Sequence, residues 1–365
     1  MLAGRCNVEG TAAYAAGHKL PAEHWRGTLD LTLSSFGMGS YLGNPDDATD
    51  ANYAAALQRA LDLGVNVVDT ASNYRYQRSE RALGLGLARA VGGGIATRDQ
   101  VLVCSKGGYL PFDGAPPDDP EAWIHKEIVE KGVATWEEIV DDCHCMTGNY
   151  LKHQVEQSRK NLGLETIDVY YVHNPEQQRP RMSEEDFYAR LTDAFKALEE
   201  CVGDGKIQWY GTATWDGYRV TKAKPNSLSL EKVLKCAEAA GGQEHHFGFV
   251  QLPFNFQFVE ALMAPTQKIG DREGSLLEAA YEYGVTVFSS VPLMQAKLVG
   301  RIAPEMQKRF PGLTTDAQRL LQFARSAPGI CAPLVGMSRV QHVDENLKVA
   351  SVAPLSEDDF NSFFG

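Results

Sequence analysis

Between residues 50 and 63 the apolar positions Tyr53, Ala56, Leu57, Ala60 and Leu61 fall three and four apart, the spacing of one helical face. Gly64 follows where a helix C-cap glycine belongs. The period then changes: residues 65–69 (Val-Asn-Val-Val-Asp) are a β-branched run of the kind that forms a strand buried on both faces. These two patterns alternate along the rest of the chain. Helical spacing is predicted over 79–89, 147–162 (closed by Gly163), 183–201 (ending near Gly203), 229–240, 275–283, 315–325 and 340–350. Strand-like runs are predicted over 29–36 (turning through Gly37-Met38-Gly39), 65–69, 101–105, 167–172, 206–213, 247–252, 285–290 and 329–336.

About eight β/α units, in strict alternation, predict a closed parallel (β/α)8 TIM barrel before any other architecture. No linker rich in Pro, Gly or Ser divides the chain, so residues 27–365 are expected to form one barrel domain. Residues 1–26 hold no strong pattern and are expected to be an N-terminal extension lying on it. The spacing breaks once, at a polar stretch (107–146) holding Pro111, Pro116, Pro117 and Pro120. It follows the third strand, so in a barrel it lies on the face where chemistry is placed, and long connections of this kind are usually lids or binding loops.

Composition narrows the function classes. Of 365 residues 44% are hydrophobic, enough for a full core. The net charge of −12 argues against nucleic acid or an anionic membrane as the main partner. Seven dispersed cysteines, an odd number, read as reduced thiols rather than a disulfide framework. No stretch approaches the ~20 apolar residues of a membrane helix, and residues 1–7 lack the apolar core of a signal peptide. The expectation is a cytoplasmic protein.

The chemistry sits at strand ends, where barrels place it. The run at 65–69 delivers Asp69 and, five residues later, Tyr74; that at 101–105 leads into Lys106; that at 167–172 leads into His173. An ammonium beside a phenol stabilises the phenolate and lowers the phenol pKa, and a carboxylate keeps the cation in place. A histidine beside the phenol orients a carbonyl oxygen or shares the proton. Such a set protonates an oxygen that gains charge as hydride reaches its carbon, and hydride needs a nicotinamide because no side chain donates it.

At this point residues 31–347 resemble the aldo-keto reductase family. Its Asp-x-Ala-x-x-Tyr is matched by Asp69-Thr70-Ala71-Ser72-Asn73-Tyr74, its strand-end lysine by Lys106, and its histidine by His173. The resemblance implies a general acid at Tyr74, tuned by Lys106 and Asp69 and assisted by His173. Arg75-Tyr76-Gln77-Arg78 lengthens the usual spacing before Ser79-Glu80, which leaves Tyr76 as an alternative acid. For the cofactor it implies NADP(H), favoured over NAD(H), contacted by Ser40, Thr214, Gln251, Ser290, Leu293 and Gln295. Thr214 stands where the family has an asparagine, and Ser290 where it has a ring-stacking tyrosine. The adenosine half is implied at Gly336, Ser338, Arg339, His342, Glu345 and Asn346, with Arg339 the cation for a 2′-phosphate. His342 and Gly336 replace a common Arg and Lys.

Neighbours of these groups, Tyr41, Tyr109, Asn174 and Trp215, are expected to form a polar and aromatic substrate rim suited to a sugar-like aldehyde, ketone or alcohol. Two other functions remain open: a cofactor-retaining regulatory subunit, and an enzyme that oxidises a sugar transiently with tightly bound nicotinamide.

Three rival motifs are weaker. Gly37-Met38-Gly39-Ser40-Tyr41-Leu42-Gly43 imitates a dinucleotide fingerprint, but its third glycine is one place late and no helix follows directly. Tyr218 and Lys222 imitate a Tyr-x-x-x-Lys pair without a suitable helix. Cys143-His144-Cys145 could start a metal site, but a closed zinc site needs four ligands and the other nearby candidates are His125 and His153, so free thiols are expected.

Overall fold

In the computed structural model, which describes residues 1–364, the chain enters through a helix, α1 (Val8–Gly17), and an antiparallel hairpin of β1 (Trp25–Thr28) and β2 (Leu31–Ser34). Barrel strands follow: β3 (Gly37–Gly39), β4 (Val67–Asp69), β5 (Leu102–Gly107), β6 (Ile167–His173), β7 (Ile207–Ala213) and β8 (Phe247–Pro253). After a short ribbon of β9 (Gln267–Ile269) and β10 (Arg272–Gly274), β11 (Thr286–Ser290) and β12 (Ile330–Gly336) close the ring against β3. All eight barrel strands pair in parallel. The predicted (β/α)8 barrel is present.

Each barrel strand is followed by a helix: α2 (Asp47–Asp62), α3 (Arg78–Gly92), α4 (Gly148–Leu162), α5 (Glu184–Gly203), α6 (Leu230–Gly241), α7 (Leu276–Glu282), α8 (Asp316–Ser326) and α9 (Val340–Asn346). Their ends are chemically marked. Asp46 accepts the Thr49 N–H at 2.8 Å, Ser275 with Glu278 and Thr315 with Gln318 form capping boxes, and Gly163 ends α4 at φ +66°. No helix among the described residues is long and apolar enough to cross a membrane.

One strand assignment from sequence is corrected. The alternation at 29–36 belongs to the hairpin arm β2, and the first barrel strand is Gly37–Gly39, read above as a turn. One-sided alternation is what a ribbon with a single buried face requires. Leu31 and Leu33 point into the barrel, packing with Val67 and Leu102 at the starts of β4 and β5, and so plug its N-terminal end. A strand buried on both faces shows no alternation, and Gly37 leaves room for its neighbours: a Cβ there would sit 2.8 Å from Leu334 and Val67. The hairpin also crosses the expected join at residues 26 and 27, with Arg26 opposite Leu33.

The stretch at 107–146 is largely self-contained. Its two ends zip together through Leu110 N–H to Cys143 O and Cys145 N–H to Gly108 O, both 2.8 Å. Between them Leu110, Ile124, Ile128, Val133 and Ile139 form a separate small core against Tyr150 of α4. It is therefore no broad lid; of its residues only Tyr109 lines the cavity described below.

The tightest backbone approach in the barrel tests the fold. At the register shift between β7 and β8, a Cβ on Gly211 would lie 1.9 Å from the Phe249 carbonyl oxygen. Gly211→Ala should lower stability by about 1–3 kcal/mol, as overpacking does, read as a lower denaturation midpoint; an unchanged midpoint would mean the strands separate at no cost.

Candidate active site

The C-terminal ends of β4, β5 and β6 bring Asp69, Lys106 and His173 to one face of the barrel, and the loop after β4 returns Tyr74 over them. The Lys106 ammonium donates to Asp69 Oδ2 at 2.7 Å, to the Thr70 carbonyl at 2.8 Å and to the Tyr74 hydroxyl at 3.4 Å. Its Nζ also lies 4.9 Å from the centre of the Tyr74 ring. Gln251 donates to the second Asp69 oxygen at 2.8 Å, so both carboxylate oxygens are occupied. The His173 ring stands edge-on to Tyr74 at 5.9 Å and to Tyr109 at 5.0 Å. Tyr76 does not line the cavity.

Burial governs the proton affinities. It opposes the Lys106 charge, but Asp69 and Tyr74 more than offset it and hold the ammonium above the usual lysine range. Burial raises the Asp69 carboxyl, against the pull of Lys106 and Gln251. Burial also raises the Tyr74 phenol, and Lys106 compensates only in part. Here the structure departs from the sequence argument: the net shift of the phenol is upward, so at neutral pH Tyr74 keeps its proton. Burial, then Lys106 and His144, hold His173 well below its ordinary value, as a neutral ring.

These groups form the floor of a cavity of about 590 Å³, within the range of small-molecule sites. Asp69, Tyr74 and His173 line it, while Lys106 is fully buried behind them. Tyr41, Tyr109, Asn174 and Trp215 stand around it, Asn174 donating to the Tyr109 hydroxyl at 2.9 Å. Ser40, Thr214, Gln251, Ser290, Leu293 and Gln295 continue the wall, and it ends at Gly336, Ser338, His342, Glu345 and Asn346 beside α9. Arg339 is the exception: exposed at the N-cap of α9, it does not line the cavity. Thr214 Oγ1 and Asn346 Oδ1 are buried in this wall without a hydrogen-bond partner. Orphaned buried polar atoms call for a ligand or water, and an amide-bearing dinucleotide fits these donors and acceptors.

Two residues around the site carry roles that the sequence reading did not assign. His144, from the Cys-His-Cys segment, donates from Nε2 to the His173 carbonyl at 2.7 Å, while Gln178 donates to its Nδ1 at 2.9 Å. Burial lowers its pKa to about 4, so it is a neutral strut beneath His173. Cys143 and Cys145 are free thiols, and no metal-holding group of three or more His, Cys, Asp or Glu occurs among the described residues. The other is Glu176, just past β6, whose Oε1 accepts the N–H groups of Trp215 (2.6 Å), Asp216 (3.1 Å) and Gly217 (3.4 Å). Its placement could be suspected only from a charged residue two positions beyond Asn174.

Burial pushes the Glu176 carboxyl from 4.5 up to about 7, against the backbone donors that favour its charge. The folded chain thus holds a proton that the unfolded chain releases. Stability from this group is fully present below about pH 4.5 and is lost as pH rises through about 7. Melting temperatures across that window should show the decline, and Glu176→Gln, which cannot ionise, should flatten it; equal slopes would place the decline elsewhere.

The barrel has known counterparts. The model of the Aldo/keto reductase family matches residues 35–311. "Probable voltage-gated potassium channel subunit beta" of Arabidopsis thaliana is 23% identical over 343 residues, covering 90% of each chain. D-threo-aldose 1-dehydrogenase of a Pseudomonas species is 26% identical over 197 residues, 53% of this chain and 54% of that one. The fold is shared with the aldo/keto reductase of Klebsiella pneumoniae solved in complex with NADP and acetate, at a TM-score of 0.58 and 19% identity over 94% of this chain and 95% of that one. With more than half of its residues matched, and the barrel in place, the chain belongs to the aldo/keto reductase family.

Proposed function

We propose that this chain is a nicotinamide-dependent oxidoreductase that interconverts an uncharged, sugar-like aldehyde or ketone and its alcohol. The observation that carries this reading is the Tyr74 hydroxyl 3.4 Å from a lysine ammonium that is itself locked to Asp69, on the floor of the cavity. When bound, a reduced nicotinamide supplies hydride to the carbonyl carbon. Tyr74 donates its hydroxyl proton to the carbonyl oxygen, and Lys106 stabilises the phenolate that this leaves. Neutral His173 orients that oxygen beside Tyr74. Thr214 and Gln251 would hold the carboxamide, Gln251 with the Oε1 that its bond to Asp69 leaves free. Ser40, Ser290, Leu293 and Gln295 line the middle of the dinucleotide site, and Glu345 and Asn346 the adenine end.

The choice of an uncharged substrate rests on the lining, which contains no Lys or Arg. Hydroxyls suit a wall of Asn174, Tyr109 and Tyr41 beside the Trp215 face, since unpaired polar groups are costly to bury. Purified protein should oxidise NADPH with an aldose or short aldehyde and discriminate against the matching sugar phosphate. Tyr74→Phe should lose about 100-fold or more in turnover, followed by NADPH absorbance; retained turnover would move the acid elsewhere.

NADP(H) is favoured over NAD(H) in this reading because Arg339, itself outside the cavity wall but next to the lining residue Ser338, stands at the N-terminus of α9 with no ion-pair partner among the described residues, free to reach a 2′-phosphate at the cavity's end. A charge-assisted bond to a 2′-phosphate is worth about 1.5–3 kcal/mol. Arg339→Ala should therefore reduce the NADPH to NADH ratio of kcat/KM about tenfold or more; an unchanged ratio would assign the preference to other residues. The likeness to a protein named as a potassium channel subunit beta supports a second reading, a cofactor-retaining regulatory subunit. Nucleotide that co-purifies and exchanges slowly, without net turnover on any carbonyl, would select it or an enzyme that oxidises a sugar transiently on bound nicotinamide.

A further inference from the structure

Tyr74 is followed by three residues in the left-handed region: Arg75 (φ +49°), Tyr76 (φ +57°) and Gln77 (φ +68°). None is Gly, Asn or Asp. Side chains with a Cβ are disfavoured there, and a run of them persists only where its surroundings over-determine it. The surroundings are the two walls of the cavity mouth.

Toward one wall, Arg75 turns a buried guanidinium back onto the loop that follows β3. Its Nε donates to the Asn44 carbonyl at 2.9 Å, it pairs with Asp50, and it lies 5.4 Å over the Tyr53 ring. Tyr53 in turn donates to the Leu42 carbonyl at 2.7 Å, and Arg78 reaches Asp50 at 2.6 Å. From outside residues 41–45, the hydrogen bonds that hold this loop are those to Leu42 and Asn44, among the described residues. Tyr41, half exposed, meets the Tyr74 ring edge-on at 5.0 Å. Toward the other wall, Gln77 donates to the Pro111 carbonyl at 3.0 Å, and the Tyr76 carbonyl accepts the Gly114 N–H at 2.9 Å. That wall begins at Tyr109.

We propose that the turn at residues 75–78 sets the position of both walls of the substrate mouth relative to Tyr74, with Arg75 a positioning residue that governs which substrates fit. It rests on the reductase reading above for its kinetic consequence. The planar fork presents separate nitrogens to the two acceptors, Nε to the carbonyl and a terminal nitrogen to the carboxylate, whereas a lysine would have to reach both from one shorter-reaching nitrogen. The charge is spent beneath the rim, so it neither enters the cavity nor alters the Lys106–Asp69 pair.

The test compares wild type with Arg75→Met, Arg75→Lys and Asp50→Asn on two probes, glyceraldehyde and the larger 4-nitrobenzaldehyde. KM for the larger aldehyde should rise at least fivefold in Arg75→Met and Asp50→Asn, and less in Arg75→Lys. The kcat for both aldehydes, the KM for glyceraldehyde and the pH profile of kcat should stay within about twofold. Backbone order parameters at residues 41–44 should fall from rigid values to below about 0.6 in Arg75→Met while those of the strands stay near about 0.85. Equal losses on the two aldehydes, or unchanged KM together with unchanged order parameters, would overturn the proposal. If wild type reduces neither aldehyde, the reductase reading falls, and the order parameters at 41–44 alone decide whether Arg75 holds the wall.

Discussion

A single ion pair, Lys106 with Asp69, underlies everything placed at the barrel mouth. Both partners are withdrawn from water, at 0% and 6% side-chain exposure. Desolvation of such a pair can exceed its Coulombic gain, so it persists only where the remaining polar positions are satisfied. Here they are. Thr70 O and Tyr74 complete the ammonium, and Gln251 completes the carboxylate. The pair ties β4 to β5 and, through Gln251, to β8 on the far side of the ring. It also fixes a positive charge under one phenol, which no packing requirement explains.

The proton chemistry follows from the balance of burial and that charge. Burial alone would make Tyr74 a very weak acid, and the ammonium recovers part of the loss. The phenol therefore stays loaded with its proton at neutral pH, and in the proposed reaction the ammonium is in place to stabilise the phenolate that donation would leave. His173 is kept neutral by burial and by the same lysine, and its backbone is propped by His144. Groups that look independent in sequence are thus one electrostatic unit.

Around this rigid floor the walls are loops, and the chain invests buried polar side chains in holding them. Glu176 gathers three successive N–H groups beneath Trp215. Arg75 ties the Asn44 carbonyl of the loop carrying Tyr41 to Asp50 of α2. The insertion at 107–146 keeps its shape through its own small core and presents Tyr109 from its zipped base. Exposed aromatic rings at a cavity rim are useful only if they stay where they are, and these anchors supply that order.

Periodicity along the chain was sufficient for the barrel, because a strand buried on both faces and a helix buried on one leave different hydrophobic periods that survive without any tertiary information. The residues at the ends of those strands, Asp69, Lys106 and His173, were legible for the same reason. What the period does not distinguish is a one-faced hairpin arm from a barrel strand, so residues 29–36 carry the pattern of the first barrel strand while glycine-rich β3, which holds that place, carries none. Nor could spacing choose between Tyr74 and Tyr76, show that His144 props His173 rather than binding metal, or place Arg339 outside the cavity. The direction of the Tyr74 shift was likewise hidden, since desolvation depends on everything packed around a group. Local sequence determines which face of an element is apolar and what lies at its end; only the closed fold decides which distant ends meet, how dry the meeting point is, and which polar side chains are left to hold the loops above it.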